Sequence, residues 1–340
     1  MDLDSETILL PEIGSWRRST HRFSEYELSA ISAARITQRP LLIRGEPGLG
    51  KSQIARAIAA SHKWSLITTV INARTEVEDL LYQIDHVSRL SDANQGVKFR
   101  ASTYDKGQDE KNAKSEAYAK TIEDYIQPGP VWRALALSCG EELKYVDDCI
   151  PRVTETVTPE ACGFYSPHGG CVLLIDEIDK APADVPNALL EVLNSGQFLV
   201  GETGEVRVGN REKMVVVVTS NSDRGLPAAF LRRCAVLKLS LGDKPVERLV
   251  EIASAHQQTD PRLSALSDKL IRFVANYVIE YRSQLEASGY RPGTSEFLDL
   301  LKVIAQQQDE LQLSDEKLEL VVDEMGEYLV KKSFAADISG

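Results

Sequence analysis

The residues Gly45-Glu46-Pro47-Gly48-Leu49-Gly50-Lys51-Ser52 satisfy the spacing G-x-x-x-x-G-K-[ST] at every fixed position. This spacing serves the capture of a polyphosphate. Glycines admit backbone angles that turn successive N–H groups toward an anion, and a helix N-terminus just behind them favours negative charge. Lys51 would neutralise the β- and γ-phosphates of a nucleotide, and the Ser52 hydroxyl would ligate Mg2+. The apolar run Leu41-Leu-Ile43 and the helix-like run Gln53–Ala60 supply the strand and helix that such a loop needs.

A second run, Cys171-Val-Leu-Leu-Ile-Asp176-Glu177, is an apolar strand ending in adjacent carboxylates. Ligands of open parallel sheets gather at the carboxyl ends of strands. Asp176 would enter the magnesium shell, and Glu177 would polarise the attacking water as general base. Taken alone, the same ending is often only a solvated strand end, and the phosphate loop is what favours the catalytic reading. Lys213-Met-Val-Val-Val-Val-Thr-Ser-Asn221 is the strongest continuous apolar run, as a parallel strand buried on both faces requires. It would set Asn221 beside the carboxylates to orient water or meet the γ-phosphate, the plain alternative being a turn former. Leu226-Pro-Ala-Ala-Phe-Leu-Arg232-Arg233-Cys234 reads as a short helix ending either in an arginine finger for a neighbouring subunit or in a solvated cap. Asp179 and Lys180 fit a surface ion pair. Cys162, His168 and Cys171 lie near one another but form no zinc spacing.

The elements that must position these groups fall into two classes. Ser65–Ile71 and Ala235–Leu239 add strands to the three above, giving an α/β core with a five-stranded parallel sheet. Ser24-Glu-Tyr-Glu27 is a capping box for a helix through Ile36, and Thr75–Tyr82 and Ala181–Leu193 start further helices. Residues from about 91 to 127 are polar and charged and read as a mobile insertion, while 145–169 read as irregular. Phe198-Leu-Val200 and Val206-Arg-Val208 predict a hairpin. Beyond Gly242 no strand is evident. Ser264–Glu286, Ser295–Gln308 and Ser314–Lys332 have helical periodicity, each starting at a serine suited to cap it. The expected organisation is an extension over 1–22, the α/β core over 23–241 and a small all-helical lid over 242–335.

Bulk properties bound the rest. A chain of 340 residues with 43% hydrophobic side chains has room for two packed units. The 51 acidic against 39 basic residues, a net charge of -12, disfavour a broad nucleic-acid surface and leave only a local channel formed on assembly. Met1-Asp-Leu-Asp-Ser-Glu lacks a signal-peptide pattern and no run approaches the roughly 20 apolar residues of a membrane span, so no membrane span and a cytoplasmic location are expected. The five cysteines include no C-x-x-C pair, which favours reduced thiols.

Together the motifs resemble the AAA+ ATPases of the MoxR-like family, over roughly Phe23 to Lys332. The resemblance is carried by Gly45–Ser52, Thr75-Glu-Val-Glu-Asp-Leu-Leu-Tyr82, Tyr125-Ile-Gln-Pro-Gly-Pro-Val-Trp132, Leu174-Ile-Asp-Glu-Ile-Asp179, Thr219-Ser-Asn221, Leu226–Cys234 and Arg291-Pro-Gly-Thr-Ser-Glu296. It implies a P-loop NTPase (AAA+) core with a helical lid, ATP and Mg2+ as cofactors, Asn221 as sensor 1, and Arg233 as the arginine finger. Arg232 is the alternative finger, because the doubled arginine leaves the register open by one. The insertion before Pro128 and the hairpin Phe198–Val208 would face the axis of a hexameric ring. Such a ring remodels a client protein, often beside a partner with a von Willebrand factor A-like domain. Relatives place a lid arginine just after a proline, whereas here Gly293 follows Pro292, so Arg291 is the candidate second sensor. The same core would serve a DNA-processing or restriction motor subunit, or a nucleotide-switched scaffold with little turnover. No base-reading motif separates ATP from GTP.

Overall fold

The computed structural model describes residues 7–13, 16–97, 99, 120–139, 143–145, 170–201, 204–208, 212–221, 225–284 and 290–332. Most of the charged insertion, and the stretch 146–169 with Cys149, Cys162 and His168, lie outside them.

In chain order, Thr7–Leu10 (β1) and Ser19–Arg22 (β2) pair antiparallel, Glu25–Thr37 (α1) leads into Leu41–Arg44 (β3), and Lys51–His62 (α2) follows the glycine loop. Ser65–Val70 (β4), Val77–Leu81 (α3), Tyr82–Ile84 (β5) and His86–Asn94 (α4) come next. A 3-10 turn at Ile122–Tyr125 precedes Ile126–Pro128 (β6), Pro130–Cys139 (α5), Leu143–Tyr145 (β7) and Cys171–Asp176 (β8). Then come Val185–Ser195 (α6), Gln197–Val200 (β9), Gly204–Val208 (β10), Met214–Ser220 (β11), Ala228–Arg233 (α7) and Ala235–Lys238 (β12). The remainder is helical: Pro245–Gln257 (α8), Pro261–Ser264 (α9), Asp268–Gln284 (α10), Thr294–Leu311 (α11) and Asp315–Gly326 (α12), closed by a π turn at Glu327–Lys331.

The expected parallel sheet is present, with five strands in the order β12-β3-β11-β8-β4. Leu41, Leu42 and Ile43 of β3 and Cys171 through Ile175 of β8 are all buried, because helices cover both faces. On one side Ile31 of α1 and Ile54, Ala55 and Ile58 of α2 pack on the sheet; on the other lie Trp132 of α5, Leu189 of α6 and Phe230 of α7. Register then aligns the strand ends. Arg44 pairs with Ser220 and with Lys238, and Ile175 with Val218, so β3, β8 and β11 deliver Gly45, Glu177 and Asn221 to one edge. The helices after β12 enclose an apolar core of their own, with Leu249, Leu270, Val274, Phe297, Ile304 and Leu318 buried in it, and Leu49 of the glycine loop packs against that core.

The capping box of α1 forms as expected: Glu27 N donates to Ser24 Oγ at 3.3 Å and Ser24 N to Glu27 Oε2 at 2.6 Å. Other expectations need correction. The extension contains the β1–β2 pair, and α4 is ordered helix where the polar insertion was expected to begin. The predicted helix from Ser264 starts instead at Asp268, with Ser267 Oγ accepting from Leu270 N at 3.2 Å. Ser295 does not cap α11. Glu296 accepts the N–H of Gly293 at 2.9 Å there, which frees the Ser295 hydroxyl for the glycine loop. Ser314 occupies the N-cap position of α12 without a side-chain bond.

Candidate active site

The loop between β3 and α2 is shaped by close approach and by backbone angle. A Cβ at Gly45 would sit 2.8 Å from the Leu239 carbonyl oxygen, and Gly50 adopts φ 84 as the N-cap of α2, a conformation that side chains disfavour. Lys51, buried at the start of α2, donates to Gly45 O at 2.8 Å, Glu46 O at 2.9 Å and Asn221 Oδ1 at 2.9 Å. Burial pulls its ammonium below the ordinary lysine range, and Asp176, Asp179, Glu177 and Glu46 oppose that shift. The lysine is therefore a desolvated cation among acceptors, a state in which a phosphate is a strong competitor for its protons.

Ser52 Oγ donates to Asp176 Oδ2 at 2.9 Å, which brings a hydroxyl and a carboxylate together at the helix N-terminus. Thr219, fully buried on β11, donates its hydroxyl to Asp176 Oδ1 and accepts the Glu177 N–H at 3.0 Å. Glu177 itself adopts φ 61, ψ 43, a left-handed conformation that costs a non-glycine residue about 1 kcal/mol or more. Its carboxylate, about a third exposed, pairs with Lys180 at 2.7 Å. The expected Asp179–Lys180 pair is thus replaced. Asp179 accepts instead from the backbone N–H of Asn221 at 3.0 Å, fixing where β11 ends. Among the described residues no group of three or more His, Cys, Asp or Glu is placed to hold a metal. The donor set of Ser52 and Asp176 still fits Mg2+, because that ion takes oxygen ligands and uses one or two carboxylates together with substrate phosphates.

The helical unit borders the loop. Arg291 Nη1 donates to Glu46 Oε1 at 2.8 Å and Arg282 Nη2 donates to Glu46 Oε2. Ser295 donates to Gly48 O through its N–H at 3.1 Å and its hydroxyl at 3.2 Å. A cavity of about 430 Å³ opens alongside, lined in part by His21, Leu49, Gln53, Arg248 and His256. Burial pushes both histidines down to about 4, so each is neutral at pH 7.

Arg232 and Arg233 are exposed at the end of α7. Ala235 pairs with Leu41 at the start of β3, so the two arginines stand at the opposite end of the strands from Gly45, about 13 Å away at 3.3 Å per residue. The sequence pointed to no role for Thr219 or Arg282, and to a surface ion pair for Asp179. Thr219 lay within the quoted Thr-Ser-Asn run, and Asp179 beside the Asp-Glu pair. Arg282 carries no local signal, being one more cation in the last turn of a long amphipathic helix.

Residues 40–234 match the AAA domain family, dynein-related subfamily. Over 102 residues the chain is 30% identical to the chaperone protein ClpB of Mycoplasmoides gallisepticum, a stretch covering 29% of this chain and 14% of ClpB. Among solved structures, the Holliday junction branch migration motor RuvB of Thermotoga maritima is similar over 88% of this chain and 67% of its own, at 15% identity and a TM-score of 0.42. A mutant of the same protein covers 88% and 68%, at 15% identity and a TM-score of 0.44.

Proposed function

The chain belongs to the AAA domain family, dynein-related subfamily, and we propose that it is an ATP hydrolase that works as a MoxR-like AAA+ ATPase to remodel or activate a client protein. Hydrolysis with Mg2+ would occur at a subunit interface of a hexameric ring, beside a partner with a von Willebrand factor A-like domain. One observation carries the enzymatic part: β3, β8 and β11 converge so that Lys51 is bonded to Asn221 and Ser52 to Asp176. These are the groups that phosphoryl transfer needs at the γ-phosphate.

In this reading Gly45–Gly50 wrap the phosphates and Lys51 exchanges its protein acceptors for phosphate oxygens. Ser52 and Asp176 would hold Mg2+, which supplies charge neutralisation across the β- and γ-phosphates. Glu177 takes the proton of the attacking water, Asn221 orients that water, and the nucleoside lies in the cavity beside His21 and His256. Arg233 serves the partner subunit's cradle, with Arg232 as the alternative, and Arg291 borders the phosphates through Glu46. The motif set quoted above supports the MoxR-like assignment. The test is Glu177→Gln: it is expected to bind ATP and lose turnover by about two decades or more, the usual size of a general-base effect. Hydrolysis at the wild-type rate would overturn the assignment. The same variant, held in the ATP state, should retain the client on co-purification, whereas DNA-stimulated hydrolysis of the wild type would point to a nucleic-acid motor.

A further inference from the structure

Glu46 is an acidic side chain inside a loop built for anions. Its backbone carbonyl accepts from Lys51 Nζ at 2.9 Å, so its charge cannot lie far from the phosphates that Lys51 would hold. Left alone, that carboxylate would repel the ligand. Two guanidiniums answer it, and both come from the helical unit. Arg282, in the last turn of α10, donates Nη2 to Oε2 while its Nη1 holds the Pro292 carbonyl at 2.8 Å. Arg291, in the connection to α11, takes Oε1 at 2.8 Å. Glu46 and Arg282 are mostly buried and Arg291 is about a third exposed, so solvent screens this cluster only in part. The two Ser295 bonds to Gly48 O and the packing of Leu49 seat the same helical unit on the same loop.

We propose that Glu46, Arg282 and Arg291 form a charge-neutralising clasp in which Arg282 is a positioning residue for ATP binding, acting through Glu46 rather than on the nucleotide. Seating the helices cancels the loop's negative charge and raises phosphate affinity; swinging them away uncovers it and favours release. Linkage makes the effect reciprocal, so bound phosphate favours the seated helices. This inference rests on the reading that Gly45–Ser52 bind the phosphates of ATP.

Equilibrium binding of a fluorescent ADP analogue to wild type, Arg282→Met, Glu46→Gln and the double variant tests it. Arg282→Met, which leaves Glu46 held by Arg291 alone and takes the cluster from a net charge of +1 to 0, is expected to weaken binding about tenfold, the size of one partly screened charge contact. In the Glu46→Gln background the same substitution should cost less than about threefold, because Arg282 acts by holding the Glu46 carboxylate off the phosphates and no carboxylate is left to hold. A residue that served only to hold the structure together would not be rescued by deleting its partner's charge. Equal losses in both backgrounds would overturn the inference, since Arg282 would then act on the nucleotide or on folding, and so would unchanged affinity in Arg282→Met. If Arg282→Met does not fold, Arg291→Met carries the same cycle. A wild type that binds no nucleotide would instead sink the ATPase reading itself, which keeps the two failures apart.

Discussion

Thr219 places one hydroxyl between Asp176 and Glu177 at the carboxyl end of β8, accepting the Glu177 N–H at 3.0 Å and donating to Asp176 Oδ1. Valine has the same shape without that hydroxyl. Thr219→Val is expected to cost about 1–3 kcal/mol of stability, because a buried N–H and a carboxylate oxygen lose their partner. With Asp176 in the magnesium-binding role proposed for it, the variant should also lower turnover by about 10- to 100-fold, as loss of a hydrogen bond to a metal-ligating carboxylate does. Thermal unfolding and steady-state hydrolysis read the two effects, and wild-type turnover would show that the hydroxyl positions nothing. The left-handed backbone at Glu177 points the same way. The other non-glycine residues with positive φ, Gln38, Lys63, Gln312 and Lys332, all sit at helix C-caps, where that conformation is ordinary. Glu177 instead follows a strand and takes its angle from a bond to Thr219.

At the scale of elements, the central strands β3, β8 and β11 were legible because burial on both faces favours continuous apolar runs. Val215 to Val218 is such a run, and its four consecutive β-branched residues favour a strand over a buried helix segment. The glycine loop was legible because its chemistry is local, set by residues within one turn of each other. The β1–β2 pair was not, since two strands spanning Thr7–Leu10 and Ser19–Arg22 are too short for a period to show. Arg282 was not, because its role exists only once α10 is folded against a loop far earlier in the chain. The β1–β2 pair has a consequence of its own: it places His21 on β2 against His256 on α8, with Glu27, Arg248, Asp260 and Lys302 acting on one or the other. Both histidines titrate at about 4 in the folded chain against 6.5 unfolded, and desolvation is the first cause. Between those values the unfolded chain binds more protons, so stability is unaffected above about pH 6.5 and falls as pH drops toward 4, by about 3 kcal/mol per histidine at full shift. Urea midpoints across that range should show the loss, and His256→Leu should flatten the slope. A slope identical to wild type would mean that His256 is solvated in solution.

For the whole molecule, the role proposed for Arg233 determines how many chains an active site needs. The strand ends that carry Gly45 and Asn221 lie at one edge of the sheet, while α7 runs to the other edge before β12 begins. An arginine there is separated from the glycine loop of its own chain by the length of β3, and this separation is the ground for proposing that it serves a neighbouring chain. Arg233→Ala is therefore expected to bind nucleotide normally and to lose about 3 or more decades in turnover, the usual contribution of an arginine supplied in trans. Lys51→Ala should be equally inactive for the opposite reason, having an intact arginine and a broken cradle. Mixing the two variants restores sound interfaces, where the cradle of one chain meets Arg233 of the other, and hydrolysis should return in proportion to those mixed contacts. Dilution below the assembly range should abolish it again. A mixture as inactive as its components would mean that cradle and arginine must belong to one chain, and the ring reading would fall with it.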